Sequence, residues 1–470
     1  MRTRDPEATP MSTDPLPSGA TAPRELDRRF VFHPFTQLDE HPRSTAPVIV
    51  GGHGVTLHSS DGRSYLDAMA GLWCVNVGYG RDEIGEAAHA ESARLGYYHA
   101  FSSMATDRPA ELAERILALY PIPMSKVFFG NSGSDANDTQ VKLVWYYNNV
   151  LGRSAKKKII SRKRGYHGVT VMTAGLTGLP GVHKGFDLPL PMIRHVSAPH
   201  RLWDAHDEES DDEFSARLAR ELEQLIVAEG PETVAAFIAE PVQGAGGVIV
   251  PPQSYFERVQ EVLSAYDVLL IADEVITGFG RLGSWFGADR FSMQPDLVTV
   301  AKGVTSGYVP LSACLVSERV WSVLVEGSAA LGPFGHGYTY SAHPVAAAAG
   351  LANLDILERE GLVAQAARRG DYLQEELRRA FAGHPLVAEV RGSGLIAAVE
   401  FGRDGRPFEP ELKVGPRVYS RALELGLITR ALPAADTIAF SPPFVVSEAE
   451  LDEMIGLARR AFDDVAAELV

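Results

Sequence analysis

A chain of 470 residues, 45% hydrophobic and 22% charged, can hold two domains with a sizeable core and is too ordinary in composition for disorder. Its formal net charge of −16 disfavours nucleic acid and anionic membrane as partners. Two cysteines, Cys74 and Cys314, form no metal-spaced or CxxC pair, so no metal is expected and both read as buried free thiols. No run reaches the roughly 20 apolar residues of a membrane span. The N-terminus has no apolar signal core, and a reducing cytoplasm is the expected location.

Residues 1–24 are rich in Pro, Thr, Ser and Asp without periodicity, which predicts a mobile tail. Phe35, in HPFT, reads either as a cover for a site mouth or as simple N-terminal packing. VIVGGHGVTLHSSDGRSYLD predicts a β-meander with turns at Gly51-Gly52 and Asp61-Gly62. This segment, within residues 25–75, is expected to pack with a small C-terminal domain.

From about residue 83 to 340, helical and strand patterns alternate, which predicts a parallel or mixed sheet with right-handed crossovers. Strands are predicted at 126–129, 157–161, 235–239, 268–272 and 297–300. The charge run HDEESDDE (206–213) reads as a solvated loop leading into the helix RLARELEQLIVAE. PVAAAAGLANLDILERE (344–360) predicts a helix that leads from a large domain, 76–343, to the small one, 344–470. In the latter, 386–401, 436–446 and helices near 416–425 and 447–468 give an α+β layer.

Two strand ends carry the strongest chemical signal. VLLIADE ends in Asp273 and Glu274, and LVTVAKG ends in Lys302. Neighbouring strand tips can turn an aspartate and a lysine toward one pocket. Pyridoxal phosphate needs that pair, an amine to bond its aldehyde and an acid for its pyridinium nitrogen. A structural Asp–Lys ion pair uses the same residues.

Other segments supply what a flat phosphorylated ring requires. KVFFGNSGSD predicts a strand, a small-residue turn through Gly130, Asn131, Ser132, Gly133 and Ser134, and a helix from about Asp135. Such a helix start can hold an anion, although a serine-capped turn alone is common. Tyr166 and His167, in RGYHGVT after the strand KKIISR, can stack on a ring or simply pack a loop. GHGYTYSAHP (335–344) is a polar loop in which Thr339 and Ser341 can donate to phosphate.

Together these segments resemble the class III aminotransferases, and among them the ω-amine:pyruvate transaminases. The resemblance runs from about His33 to the C-terminus. It rests on MAGLWCVNVGYGR, NSGSDANDT, GYHG, EPVQGAGGVIVPP, ADEVITGFGRLG, AKG and GYTYSAHP, in the family's order. It implies an α/β fold of fold type I, with a mixed, mostly parallel, seven-stranded-type sheet and an α+β small domain. It implies pyridoxal 5′-phosphate as cofactor. Substrates would be an amine donor and a keto acid, expected to be pyruvate, in a ping-pong cycle. It also implies a homodimer with shared active sites, or a tetramer of such dimers.

The resemblance assigns roles residue by residue. Lys302 matches the lysine that bonds the cofactor, and Asp273 the carboxylate on the ring nitrogen. Gly133 and Ser134 match the phosphate turn. Tyr166 matches the stacking aromatic, with His167 beside it, and Val275 the apolar group on the opposite ring face. Glu240 matches an acid near the ring, and Thr339 the threonine reaching the phosphate from the neighbouring subunit. Trp73 and Phe101 match pocket-wall positions. Arg430 matches a mobile arginine for the substrate carboxylate, with Pro433, Ala434 and Ala435 as the loop that lets it move.

Two departures bear on the substrate. Members acting on 4-aminobutyrate or ornithine carry a glutamate at the position of Ala245, and often glutamine at that of Ile276. Both changes make the pocket more apolar and favour amine:pyruvate chemistry. In YYHAFSSM (97–104), Tyr98 and Phe101 remain aromatic, but Ser102 and Ser103 leave room or polarity. The alternatives are an aminotransferase for another ω-amino acid or acceptor, and a mutase, racemase or decarboxylase on the same cofactor. A nucleotide-phosphate loop is disfavoured because residues 131–139 contain no basic residue.

Overall fold

The computed structural model describes residues 22–432 and 437–469. Most of the expected tail, residues 1–21, and the expected arginine hinge, Pro433, Ala434 and Ala435, lie outside the described residues. The described residues divide into two compact units, one of those up to Gly51 with Leu57–Ser64 and one of Gly52–Thr56 with those from Tyr65 onward.

In the first unit, a helix spans Pro23–Phe30. Proline in its first turn fits the fixed φ of that ring, and Glu25 near its start and Arg28 and Arg29 near its end oppose the helix dipole. Phe35 is exposed.

The meander forms β1 (Ile49–His53), β2 (Thr56–Ser59) and β3 (Ser64–Asp67). The expected turn at Gly51-Gly52 is wrong, because both glycines lie inside β1. The break falls at Gly54, whose φ of +58° is what a glycine-only turn needs. Gly62, at φ +83°, does mark the break between β2 and β3.

The large sheet of the second unit contains seven strands. They are β4 (Lys126–Gly130), β5 (Lys158–Arg162), β6 (Ile193–Val196), β7 (Val234–Ala239), β8 (Leu269–Asp273), β9 (Leu297–Val300) and β10 (Ser312–Val316). Their order is β4-β10-β9-β8-β7-β5-β6. All neighbouring pairs are parallel except those of β10, which runs antiparallel to both β4 and β9.

Strands β7 to β10 are buried along their whole length, as expected for a sheet covered on both faces. β6 and β10 fall outside the strands expected from the sequence. Cys314 sits fully buried in β10, but Cys74 is only half-buried and lines a cavity, contrary to expectation.

The acidic run is a partial correction too. Asp211, Asp212 and Glu213 are the first turn of a helix, Asp211–Glu229, rather than loop. Ser210 and Glu213 form a reciprocal capping box, and three acids at an N-terminus favour the dipole.

The C-terminal portion carries β11 (Val387–Gly392), β12 (Ala397–Phe401), β13 (Leu427–Ile428), β14 (Arg430–Leu432) and β15 (Thr437–Phe440). Four of these form an antiparallel sheet in the order β11-β12-β15-β14. β13 instead pairs in parallel with β3, Leu427 against Leu66 and Ile428 against Asp67.

Candidate active site

In a parallel α/β sheet, ligands bind beyond the C-terminal ends of the strands. Asp273 is the last residue of β8, and Lys302 follows the end of β9, its neighbour, by two residues. Glu240 follows the end of β7, and Tyr166 and His167 follow β5. Lys302, Asp273, Glu240, Tyr166, His167, Val275, Gly133 and Ser134 all line one cavity of about 290 Å³.

The anion end of the cavity is built at the start of the helix Gly133–Val150. Ser132 caps it. Its Oγ accepts from the Asp135 N–H at 3.1 Å, and the Asp135 carboxylate accepts from the Ser132 N–H at 3.0 Å. Gly133 and Ser134 occupy the first two helical positions, whose N–H groups have no acceptor within the helix. A Cβ on Gly133 would sit 3.1 Å from a Val275 methyl, so glycine here lets the turn close on Val275. Gly168, at φ +126°, similarly leaves space for the Ser134 hydroxyl, 2.6 Å from where a Cβ would stand.

Asp273 is buried and precisely held. Its Oδ2 accepts from Asn137 Nδ2 at 2.8 Å and lies 2.8 Å from His167 Nδ1. Its Oδ1 accepts from the Val275 N–H at 3.1 Å. The neighbouring Glu274 turns away from the cavity. It accepts from Thr277 Oγ1 and from the N–H groups of Gly287, at 2.9 Å, and Ala288, at 2.6 Å. Burial outweighs these donors and pushes its carboxyl up to about 7. The acidic pair thus splits into one group for the cavity and one for the loop behind it.

Lys302 has a left-handed backbone, φ +44°, a strained geometry that costs a non-glycine residue roughly 1 kcal/mol. Burial lowers its ammonium below the ordinary lysine value, while Cys74, Asp273 and Glu240 pull it back up. Glu240 accepts from the Tyr166 N–H and the Gly244 N–H, both at 2.9 Å, and burial raises its carboxyl. It therefore fixes two loops, one carrying Tyr166 and one carrying Ala245. Ile276 lines the cavity, and its Cδ1 lies 2.4 Å from where a Cβ of Gly244 would be.

Trp73 and Arg430 meet from opposite ends of the chain. The Arg430 guanidinium carbon lies 5.3 Å from the Trp73 ring centre, within cation–π range. Burial lowers the Arg430 pKa, with Tyr166 and Tyr419 opposing it, and its buried Nε has no partner among the described residues. No carboxylate among the described residues pairs with it. The guanidinium thus rests on an aromatic face rather than on an acid.

Not every expected site residue reaches the cavity. Trp73, Arg430 and the buried Ala245 are off its lining. Phe101 and Thr339 also lie off the lining and are exposed. They share a neighbourhood: Tyr97 Oη donates to the Thr339 carbonyl at 2.6 Å, and the Phe101 ring packs against Gly337. In the other direction, Asn137, Cys74 and Thr305 line the cavity without having been singled out. Asn137 left one readable signal, a polar residue one turn before Val141 on a buried helix face.

These groups fit a phosphorylated pyridine. The helix start offers N–H groups to an anion, Val275 and Tyr166 offer flat packing, Asp273 offers a buried carboxylate, and Lys302 offers an amine with a lowered pKa.

The Aminotransferase class-III family profile matches residues 39–462. The chain is 51% identical to a diaminobutyrate–2-oxoglutarate transaminase of Halomonas elongata, across 94% of this chain and 96% of that protein. It is 46% identical to a vanillin aminotransferase of Capsicum annuum, across 92% and 94%. Among solved structures, an omega transaminase from Pseudomonas jessenii in complex with PMP superposes with a TM-score of 0.93 at 48% identity, across 95% of this chain and 99% of that one.

Proposed function

The chain belongs to the class III aminotransferases, enzymes that use pyridoxal phosphate, and from that premise we propose that it moves an amino group from a primary amine or ω-amino acid to pyruvate in a ping-pong cycle. The bound cofactor supplies an aldehyde that bonds amines and an electron-poor ring that spreads the charge left when a proton departs. The rest of the chemistry falls to the chain's own side chains.

Asp273, held by His167 and Asn137, would present a carboxylate oxygen to the ring nitrogen. The Lys302 Nζ, desolvated and lowered in pKa, would serve as the base that takes a proton from the substrate carbon and gives it back. Gly133 and Ser134 would anchor the phosphate, and Tyr166 and Val275 would hold the ring. Arg430 binds the keto-acid carboxylate, and Thr339 reaches the phosphate of a second subunit's site.

The observation that carries the acceptor assignment is the placement of Arg430 on Trp73 with no acid partner among the described residues. Pyruvate offers one carboxylate to that one guanidinium. A dicarboxylate would need a second cation, and among the described cavity-lining residues only Lys302 carries an amine or guanidinium. The resemblance to a diaminobutyrate–2-oxoglutarate transaminase favours 2-oxoglutarate as the competing acceptor. The test is a panel of amines run separately against pyruvate and 2-oxoglutarate. The proposal expects higher kcat/KM with pyruvate, and a preference for 2-oxoglutarate would reverse the assignment.

A further inference from the structure

The Trp73 ring sits on a turn closed by its own backbone bonds, Trp73 N–H to the Met69 carbonyl and Cys74 N–H to the Ala70 carbonyl, both at 2.9 Å, yet strained in φ. Residues 70–74 follow β3 as a single irregular turn. Ala70, Gly71 and Trp73 all take left-handed φ, at +47°, +66° and +58°. Two of these three are not glycine, and such geometry persists only when the surroundings impose it.

One buried side chain braces the turn from outside. Asp67, the last residue of β3, is fully buried. Its Oδ1 accepts from the Met69 N–H at 2.8 Å and its Oδ2 from the Gly71 N–H at 2.7 Å. Tyr79 Oη donates to the same Oδ2 at 2.5 Å. A carboxylate accepts all three donors at once, which a carboxamide cannot. The turn so fixed delivers Trp73 to Arg430 and Cys74 to the cavity lining.

The same strand places the other half of the contact. β3 pairs in parallel with β13, Asp67 against Ile428, and the Ala68 N–H donates to the Ile428 carbonyl at 2.9 Å. Arg430 lies two residues beyond Ile428. Asp67 thus stands at the point where the wall turn and the arginine strand leave one paired edge.

We propose that Asp67 is a specificity-determining positioning residue, which sets the Trp73 wall for the amine and, through it, the resting place of Arg430 for the keto acid. The arginine half rests on the function proposed above. The tryptophan half rests on the wall position that the resemblance assigns to Trp73. Asp67 is not on the cavity lining, so its effect is expected on substrate affinity rather than on cofactor binding or the proton-transfer rate.

The test uses the holoenzyme and follows each half-reaction by cofactor absorbance, with a carboxylate-free amine and then with pyruvate. Asp67→Asn is expected to raise the half-saturating concentration of both substrates about ten-fold, the effect of one lost charged hydrogen bond. The limiting rate, cofactor affinity and absorbance maximum stay near wild type. Tyr79→Phe, which keeps both N–H contacts, shifts the same constants in the same direction by a smaller factor.

Unchanged half-saturation for the amine in Asp67→Asn overturns the proposal, as does a fall in cofactor affinity alongside it. If Asp67→Asn does not fold, Tyr79→Phe alone decides by the same criteria. Arg430→Ala is run in parallel. If it leaves pyruvate half-saturation unchanged, the arginine reading fails, while the amine constants still judge Asp67.

Discussion

Asp273 Oδ2 lies 2.8 Å from His167 Nδ1, and both side chains are buried. With Asn137 donating to the same oxygen, two donors hold the carboxylate in one orientation beneath the cavity. Asp273→Asn keeps the volume but removes the charge and sets an amide against donors that want an acceptor. Half-reaction rates should fall by roughly two to four orders of magnitude, as for loss of a positioned acid–base partner. Stopped-flow absorbance would show this, and near-normal rates would remove Asp273 from its role.

Lys302→Ala should abolish turnover while leaving the cofactor bound without a covalent link. The cradle at Gly133 and Ser134 and the packing of Val275 and Tyr166 remain intact in that variant. The check is whether borohydride still fixes cofactor to the protein. More than trace transamination by the alanine variant would show that Lys302 is not the proton carrier.

Thr339 is exposed and off the cavity of its own chain, beside the equally exposed Phe101 and Tyr340. Its proposed phosphate contact therefore requires a second copy. Thr339→Ala should weaken cofactor affinity about ten-fold, one charged hydrogen bond. Activity should also fall on dilution as sedimentation shows dissociation. A fully active monomer would contradict the shared site.

Glu274 makes a pH prediction. Its folded pKa, about 7, lies above the ordinary 4.5, so the native state binds more protons than the unfolded state between those values. Its contribution to stability is complete below the unfolded pKa and is lost as pH rises through the folded one. The difference amounts to roughly 3 kcal/mol. Glu274→Gln should abolish this component. The unfolding free energy of wild type minus that of the variant should shrink between pH 4.5 and 7.5, and a constant difference would show that Glu274 is ionised throughout.

How far the sequence could be read follows from the range of the forces involved. The buried strands β7, β8 and β9 announce themselves as apolar runs, and Asp273 and Lys302 stand at their ends. β10 has an equally apolar pattern, but its antiparallel placement between β4 and β9 comes from pairing, which a local pattern does not encode. Gly51-Gly52 looked like a turn because composition does not reveal which glycine takes positive φ. Asp211 to Glu213 looked like loop because a capping box turns acidity into a helix start. The contact between Trp73 and Arg430 spans nearly the whole chain and depends on the pairing of β3 with β13. Roles for both could be suggested by resemblance, but their stacking could not.

That stacking revises how one site can serve two kinds of substrate. A buried arginine left unpaired when an apolar amine binds would cost several kcal/mol. On the proposed function, the Trp73 face is where Arg430 rests inside the protein when no carboxylate is bound. The most direct test is to measure both half-reactions of Arg430→Ala by single-turnover absorbance. The account predicts a roughly ten- to hundred-fold rise in half-saturating pyruvate, from a lost charged hydrogen bond of about 1.5–3 kcal/mol, with little change for a carboxylate-free amine. Equal losses in both half-reactions would contradict it and make Arg430 a structural residue.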